Sequence, residues 1–232
     1  MPVSTPDAAR QERYRRLAIT TGILVLLAVV IATGVWVTSG SSTTPDPAAA
    51  RTPAAHVGDH SLVVGAAAAP VKVVVYEDFL CPFCRQLETS TRDFLHQDAA
   101  KGRVQVEYRP FQLLPEGYSR RALDAWATVL QQGTPAQALR FHDLLYDHQP
   151  YEQAAHKPGV AALRALARKA GVSDPKVLEA LGSPNPAFFD AVQRSAATAG
   201  VRGTPTVLVD GKPLEGSSIQ DLADRLEKLA AG

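Results

Sequence analysis

The chain is poor in the residues that would staple it or bind a metal. Its 232 residues include only two cysteines, one methionine and 6% aromatics. A single possible cysteine pair cannot build the disulfide framework of a small secreted scaffold. A structural zinc site needs about four ligands. Two cysteines and scattered histidines supply no second spaced pair, so no metal is expected. Basic runs are missing as well. Five of the 24 Lys+Arg and three of the 23 Asp+Glu precede Val57, leaving 19 against 20 beyond it, a net of −1. With no cluster of Lys and Arg there, nucleic acid is not an expected partner.

Long apolar runs are absent too, with one exception. Residues Leu17 to Val37 form a stretch of 21 residues without a charge. As a helix it would span ~30 Å, the thickness of a bilayer's hydrocarbon core. Arg10, Arg13, Arg15 and Arg16 precede it, and no Lys or Arg follows until Arg51. The positive-inside rule then places the N-terminus in the cytoplasm and the rest outside. The apolar core of a cleaved signal peptide is about 7–15 residues and ends at a small-residue site, so a retained anchor fits better. Arg15-Arg16 also allows a twin-arginine export reading, against which stands plain topology-setting charge. No cysteine follows the run to carry a lipid. The expected organisation is a cytoplasmic segment (1–16), a transmembrane anchor (17–37), a flexible Ser/Thr/Pro/Ala-rich linker (38–56) and one globular domain (57–232). The expected location is the cell membrane, crossed once, with the domain outside.

The two cysteines stand together in Cys81-Pro82-Phe83-Cys84, after the apolar run Val71 to Tyr76. The run reads as a buried strand and the segment from Pro82 as a helix, with Leu87, Thr91, Phe94 and Leu95 forming its apolar stripe. A cysteine where a strand turns into a helix sits at the positive helix end, which favours thiolate over thiol. Cys84, at i+3, lies one turn along the same face, within reach of a disulfide. Pro82 suits the first helical position. The chemistry expected of this pair is reversible thiol–disulfide exchange.

Arg103 to Tyr108 alternates and reads as a strand, and Pro110 to Tyr118 as a loop. The stretch of about 119–200 holds no convincing strand and reads as helices, four of them opening at Pro135, Pro158, Pro175 and Pro186. Thr206 to Val209 reads as a strand, Asp210-Gly211 as a hairpin turn, Pro213 to Glu215 as the returning strand and Ser218 to Ala230 as an amphipathic helix. The order β, α, β, helical block, β, β, α implies an α/β fold with a mixed sheet and helices on both faces.

This order and the residues CPFC resemble the thioredoxin superfamily, and the helical insertion resembles its DsbA-like branch of disulfide oxidoreductases. YEDFLCPFC (Tyr76 to Cys84) and GVRGTPTVLVDGK (Gly200 to Lys212) carry the likeness, which covers about residues 60–230. The resemblance implies a thioredoxin fold preceded here by the single membrane helix, and a cis bond before Pro205 facing the CxxC. It implies Cys81 as the reacting sulfur and Cys84 as the buried resolving thiol. The backbone of Thr204 would then pair with an extended substrate segment by strand addition, and Gly203 would allow a tight approach to that bend. Pro82 and Phe83 would tune the pair. Many DsbA-like proteins carry His where this chain has Phe83. A phenyl ring offers no donor or charge, so either the Cys81 thiol is less acidic and the oxidant milder, or Phe83 only packs on the surface.

Thioredoxin-like chains often keep a buried acid six residues before the first cysteine, where this chain has Val75. Glu77 and Asp78 stand near the site, either as proton shuttles for Cys84 or as solvated acids at a strand end. The histidines His96, His142, His148 and His156 have no ligand spacing and default to surface or capping roles. Trp126 and Phe188-Phe189 read as core of the helical block, whereas Tyr76 and Phe79 are either core or groove.

Three functions compete. The first is an oxidase that forms disulfides in exported proteins and is reoxidised, as the resemblance implies, by a quinone-linked membrane partner. The second is a reductase or isomerase on the same scaffold, and the third a non-redox peptide-binding module, against which the intact cysteine pair argues. No cofactor is implied, and the chain is expected to be monomeric.

Overall fold

The structure, a computed structural model, describes residues 53–231. The expected cytoplasmic segment, the membrane span and most of the linker lie outside them. No helix among the described residues is long and apolar enough to cross a membrane.

Six strands form one mixed sheet in the order β1-β2-β4-β3-β5-β6. The strands are β1 Ala55–Val57, β2 Leu62–Val64, β3 Val71–Glu77, β4 Val104–Pro110, β5 Thr206–Val209 and β6 Lys212–Pro213. Valine-rich β3 lies inside the sheet, parallel to β4 and antiparallel to β5, where β-branched side chains pack well. β4 alternates buried and half-buried residues along its length, as its sequence predicts. β1 corrects the linker boundary. Ala55 and His56, assigned to the flexible stretch, pair in register with Val64 and Val63. Three residues are too few to show a period, so the strand exists because β2 offers an edge.

The helices are α1 Pro82–Ala100, α2 Gly117–Gln132, α3 Pro135–Asp147, α4 Val160–Lys169, α5 Pro175–Ala180, α6 Pro186–Thr198 and α7 Ile219–Ala231. α1 packs on α7, α3 and β4, while α2 gathers α3, α4, α5 and α6 around itself. α2 begins at Gly117, ahead of the helical stretch expected from about residue 119. α4 begins at Val160, with Gly159 as its N-cap, not at Pro158. α3 does open at its proline, behind a capping box in which Thr134 and Gln137 satisfy each other's backbone N–H, a device that fixes a helix start. Asp210 and Gly211 both take positive φ, 49° and 78°, the conformation a two-residue hairpin turn requires. β6 ends at Pro213, although Leu214 N–H still bonds Val207 C=O. Tyr76, Phe79, Trp126 and Phe188 are all core, at most 4% exposed.

Candidate active site

The site forms where β3 runs out. The β3–β5 register places Tyr76 opposite Thr206, so the residues before β5 come up beside the turn after β3. Cys81 is the N-cap of α1 and Pro82 its first residue. The Thr204–Pro205 bond is cis, and the Cys81 thiol donates to the Thr204 carbonyl at 3.4 Å. Both cysteines are free thiols.

Cys81 stands at the helix start, yet it is only 5% exposed, against 1% for Cys84. Phe83 is instead exposed, at 58%. With Pro82, which is also exposed, it forms the motif's outer rim. Phe83, Pro205, Leu214, Ile219 and Leu222 line a surface groove of about 590 Å³. Tyr151, 80% exposed, stands over a second hollow on the other side of Pro82.

The two thiols are electrostatically split. A hydrogen bond from Cys84 is the largest influence on Cys81, and with help from Thr204 and the backbone N–H groups of Cys84 and Phe83 it outweighs burial and lowers the Cys81 thiol to about 6. The helix-start amides therefore contribute, but less than the partner thiol does. Burial, and then the neighbouring Cys81, pushes the Cys84 thiol well above its usual range. We expect the alkylation rate of Cys81 by iodoacetamide to rise with pH through a midpoint near 6, followed by mass spectrometry of the Cys81 peptide. A midpoint in the ordinary range of free thiols, about 8.5, would contradict this.

The flanking acids are not solvated. Asp78 is fully buried. It accepts from the N–H groups of Leu80 (2.8 Å), Leu113 (2.7 Å) and Leu114 (2.9 Å) and from Ser119 Oγ (2.7 Å). With its lone pairs so committed, Asp78 is a clamp between the CPFC turn and the segment leading into α2, not a free shuttle. Glu77 is 1% exposed and receives His142 Nε2 at 2.7 Å.

His142 overturns its surface assignment. It is completely buried on α3 and contacts Glu77, Asp143 (3.2 Å) and, more distantly, Glu88 (3.8 Å). Burial opposes its charged form, but the Glu77 and Glu88 carboxylates and the hydrogen bonds to Asp143 and Glu77 lift the imidazole to about 10. Donor atoms of Glu88, His142 and Asp143 lie within 4.8 Å of one another. The Arg92 guanidinium supplies the positive charge there, at 2.9 Å from Glu88 and 3.7 Å from Asp143. Gln149, also missed in the sequence, donates from its side-chain amide to the carbonyls of Phe79 (3.1 Å) and Cys81 (3.0 Å). Neither His142 nor Gln149 carries a local signal, because each reaches its partner at the site across a long stretch of chain.

Gly203 does not play its expected steric part. Its φ is not positive, and a Cβ there would meet no atom within 4 Å. Its carbonyl accepts from Thr206 Oγ1 at 2.8 Å. Among the other histidines, His148 caps the C-terminus of α3, and His96 meets the Tyr108 hydroxyl at 3.4 Å.

A family model described as Thioredoxin matches residues 58–228. The chain belongs to that family. It is similar to the reduced DsbA of Mycobacterium tuberculosis, with 29% identity, a TM-score of 0.62 and coverage of 75% of this chain and 94% of that one. Reduced DsbG of the same organism, a disulfide bond oxidoreductase, is 30% identical with a TM-score of 0.61, covering 73% of this chain and 87% of that one. The MdbA thiol-disulfide oxidoreductase of Corynebacterium diphtheriae has the same fold at 24% identity and a TM-score of 0.64, covering 77% and 93%. A match at 31% identity over 156 residues to the Na(+)/H(+) antiporter NhaA 3 of Salinispora tropica takes in 66% of this chain, which spans only 22% of that curated relative. Within the thioredoxin family the chain is a DsbA-like thiol–disulfide oxidoreductase.

Proposed function

We propose that this thioredoxin-family member is an extracytoplasmic oxidase that forms disulfides in exported proteins through Cys81 and Cys84. One observation carries the reading: a Cys81 thiol lowered to about 6 beside a Cys84 thiol raised far above it. A stabilised Cys81 thiolate favours the reduced form, which makes the disulfide form an electron acceptor. A substrate thiolate attacks Cys81 Sγ and the Cys81–Cys84 bond breaks, leaving its electron pair on Cys84. A second substrate thiolate then attacks the mixed disulfide, expelling the Cys81 thiolate. Substrate is oxidised by two electrons and the pair is reduced by two.

The Thr204–Pro205 edge faces Cys81 and suits an extended substrate strand. The Thr204 carbonyl that would serve the substrate is occupied in this dithiol state by the Cys81 thiol, so substrate binding exchanges one hydrogen bond for another. The expected membrane span at 17–37 would hold the domain near a membrane partner that reoxidises it, and a single copy of the chain suffices for this cycle.

A redox titration against glutathione tests the direction. A potential nearer ~ −120 mV than ~ −270 mV is expected, and a thioredoxin-like value would sink the oxidase reading. A reductase or isomerase role is favoured by one feature, the exposed Phe83, which gives the Cys81 thiolate no side-chain donor. Phe83→His is expected to lower the Cys81 thiol further and make the couple more oxidising, by on the order of 30 mV. The same titration reads it, and an unchanged potential would assign Phe83 to packing alone.

A further inference from the structure

Among the described residues Tyr151 is the most exposed large apolar side chain, at 80%. A lone surface aromatic needs no explanation, but this one borders a hollow of about 380 Å³ beside the reacting cysteine. That volume lies within the ~300–1,000 Å³ range of binding pockets. Pro82, bonded directly to Cys81, lines the hollow from α1, and Pro150 and Tyr151 line it from the segment after α3. Gln86 borders both this hollow and the groove of Phe83 and Pro205, so the two adjoin at the start of α1. A segment that comes from the Pro205 side and crosses Cys81 meets the hollow next. An extended chain covers ~3.3 Å per residue, so about two or three residues make the crossing.

The α3 side of the hollow is fixed in advance. Gln149 Nε2 donates to the carbonyls of Phe79 and Cys81 at 3.1 and 3.0 Å. Two acceptors at one end of the amide settle which end carries the hydrogens. Gln149 also lines the hollow, and no donor among the described residues reaches its Oε1. Tyr151 C=O accepts from Ala154 N–H at 3.0 Å, so the ring is carried on a closed turn. Arg85 and Glu152 bring one charge of each sign, which leaves nothing to select an acidic or a basic occupant. What remains is an aromatic ring with two prolines and an acceptor without a donor. Aromatic rings stack on such surfaces, and a peptide backbone supplies the donor.

We propose that the hollow is a substrate subsite that takes an aromatic side chain about two or three residues from the substrate cysteine, against Tyr151, Pro82 and Pro150, with Gln149 Oε1 open to a backbone N–H of the same segment. The substrate class follows from the chemistry. Aromatic side chains are mostly buried once a protein has folded. The subsite therefore selects extended chains that have not yet folded, while their cysteines are still unpaired.

This inference rests on exchange at Cys81 and Cys84, and one experiment separates the two. The disulfide form of the full-length chain is mixed with reduced peptides carrying one cysteine. They differ only in having Phe or Ala at a single position, about two or three residues before or after it. Acid quenching and mass spectrometry give the second-order rate of reduction. At one of these positions Phe should exceed Ala by roughly five- to tenfold. Tyr151→Ala should bring that ratio to about one, and Tyr151→Phe, which keeps the ring, should restore it. Rescue by Y151F also excludes a general loss of folding. Three results overturn the subsite and leave exchange standing: a wild-type ratio near one at every position, a preference that Y151A leaves intact because the ring sits beside Phe83 instead, or no rescue by Y151F. A disulfide form that no peptide reduces overturns the exchange reading and the subsite with it.

Discussion

Replacing His142 with alanine is expected to cost about 3–5 kcal/mol of folding stability, the range for breaking a buried ion pair by removing one partner. Glu77 and Glu88 are 1% and 3% exposed, and His142 and Arg92 are the cations that face them. Without the imidazole, Glu77 loses the 2.7 Å contact and must be buried either charged and unpaired or protonated. Urea unfolding at neutral pH measures the loss, and a change below about 1 kcal/mol would show that the cluster contributes little.

The pH dependence has a definite sign. The folded His142 holds its proton up to about 10, above its ordinary 6.5. Its contribution is fully present below the unfolded value and is lost as pH rises through about 10. The Glu88 carboxyl, raised from 4.5 to about 7, acts in the same direction. The folded state retains a proton that the unfolded chain releases, and that advantage fades as pH climbs through about 7. The wild-type urea midpoint should therefore fall from slightly acidic to alkaline pH, and His142→Ala should flatten its alkaline limb.

Removing the Cys81 sulfur, as in Cys81→Ser, is expected to reduce disulfide exchange to the uncatalysed background. Cys84 cannot take over. With its thiol held well above 9, less than about 1% of it is thiolate at pH 7, and it lies almost completely buried. Cys84→Ser should behave differently. Cys81 can still attack a disulfide of a partner, displacing one of its sulfurs as thiolate, but the resolving sulfur is gone, so covalent adducts accumulate through Cys81. Non-reducing electrophoresis of cells expressing this variant reads the adducts. Their absence, together with wild-type capture of glutathione, would mean that exported thiols are not the substrates.

Features carried by neighbouring residues were the ones legible in the sequence. The β3 run, the strand-to-helix step at CPFC and the positive-φ turn at Asp210-Gly211 are local, and each appears where its residues placed it. The edge strand β1 was hidden because three residues show no alternation. The cluster under the site was hidden for another reason: Glu77 and His142 are 65 positions apart, and nothing in HDLLYDHQ marks one histidine for the interior. Spacing rules search for ligands and faces, whereas this histidine is placed by the packing of α3 on α1. Gly203 erred the other way, since a glycine two residues before a cis proline invites a steric reading that the open space around it refuses.

The grip of Gln149 on the Phe79 and Cys81 carbonyls gives the helical block a standing beyond ornament. A trimmed chain that spliced β4 directly to β5 would strip two main-chain oxygens at the reactive turn of their partner. It would also take the imidazole from the acid at the tip of β3. Such a minimal version should not survive as a working enzyme, because the inserted helices brace the nucleophile from behind.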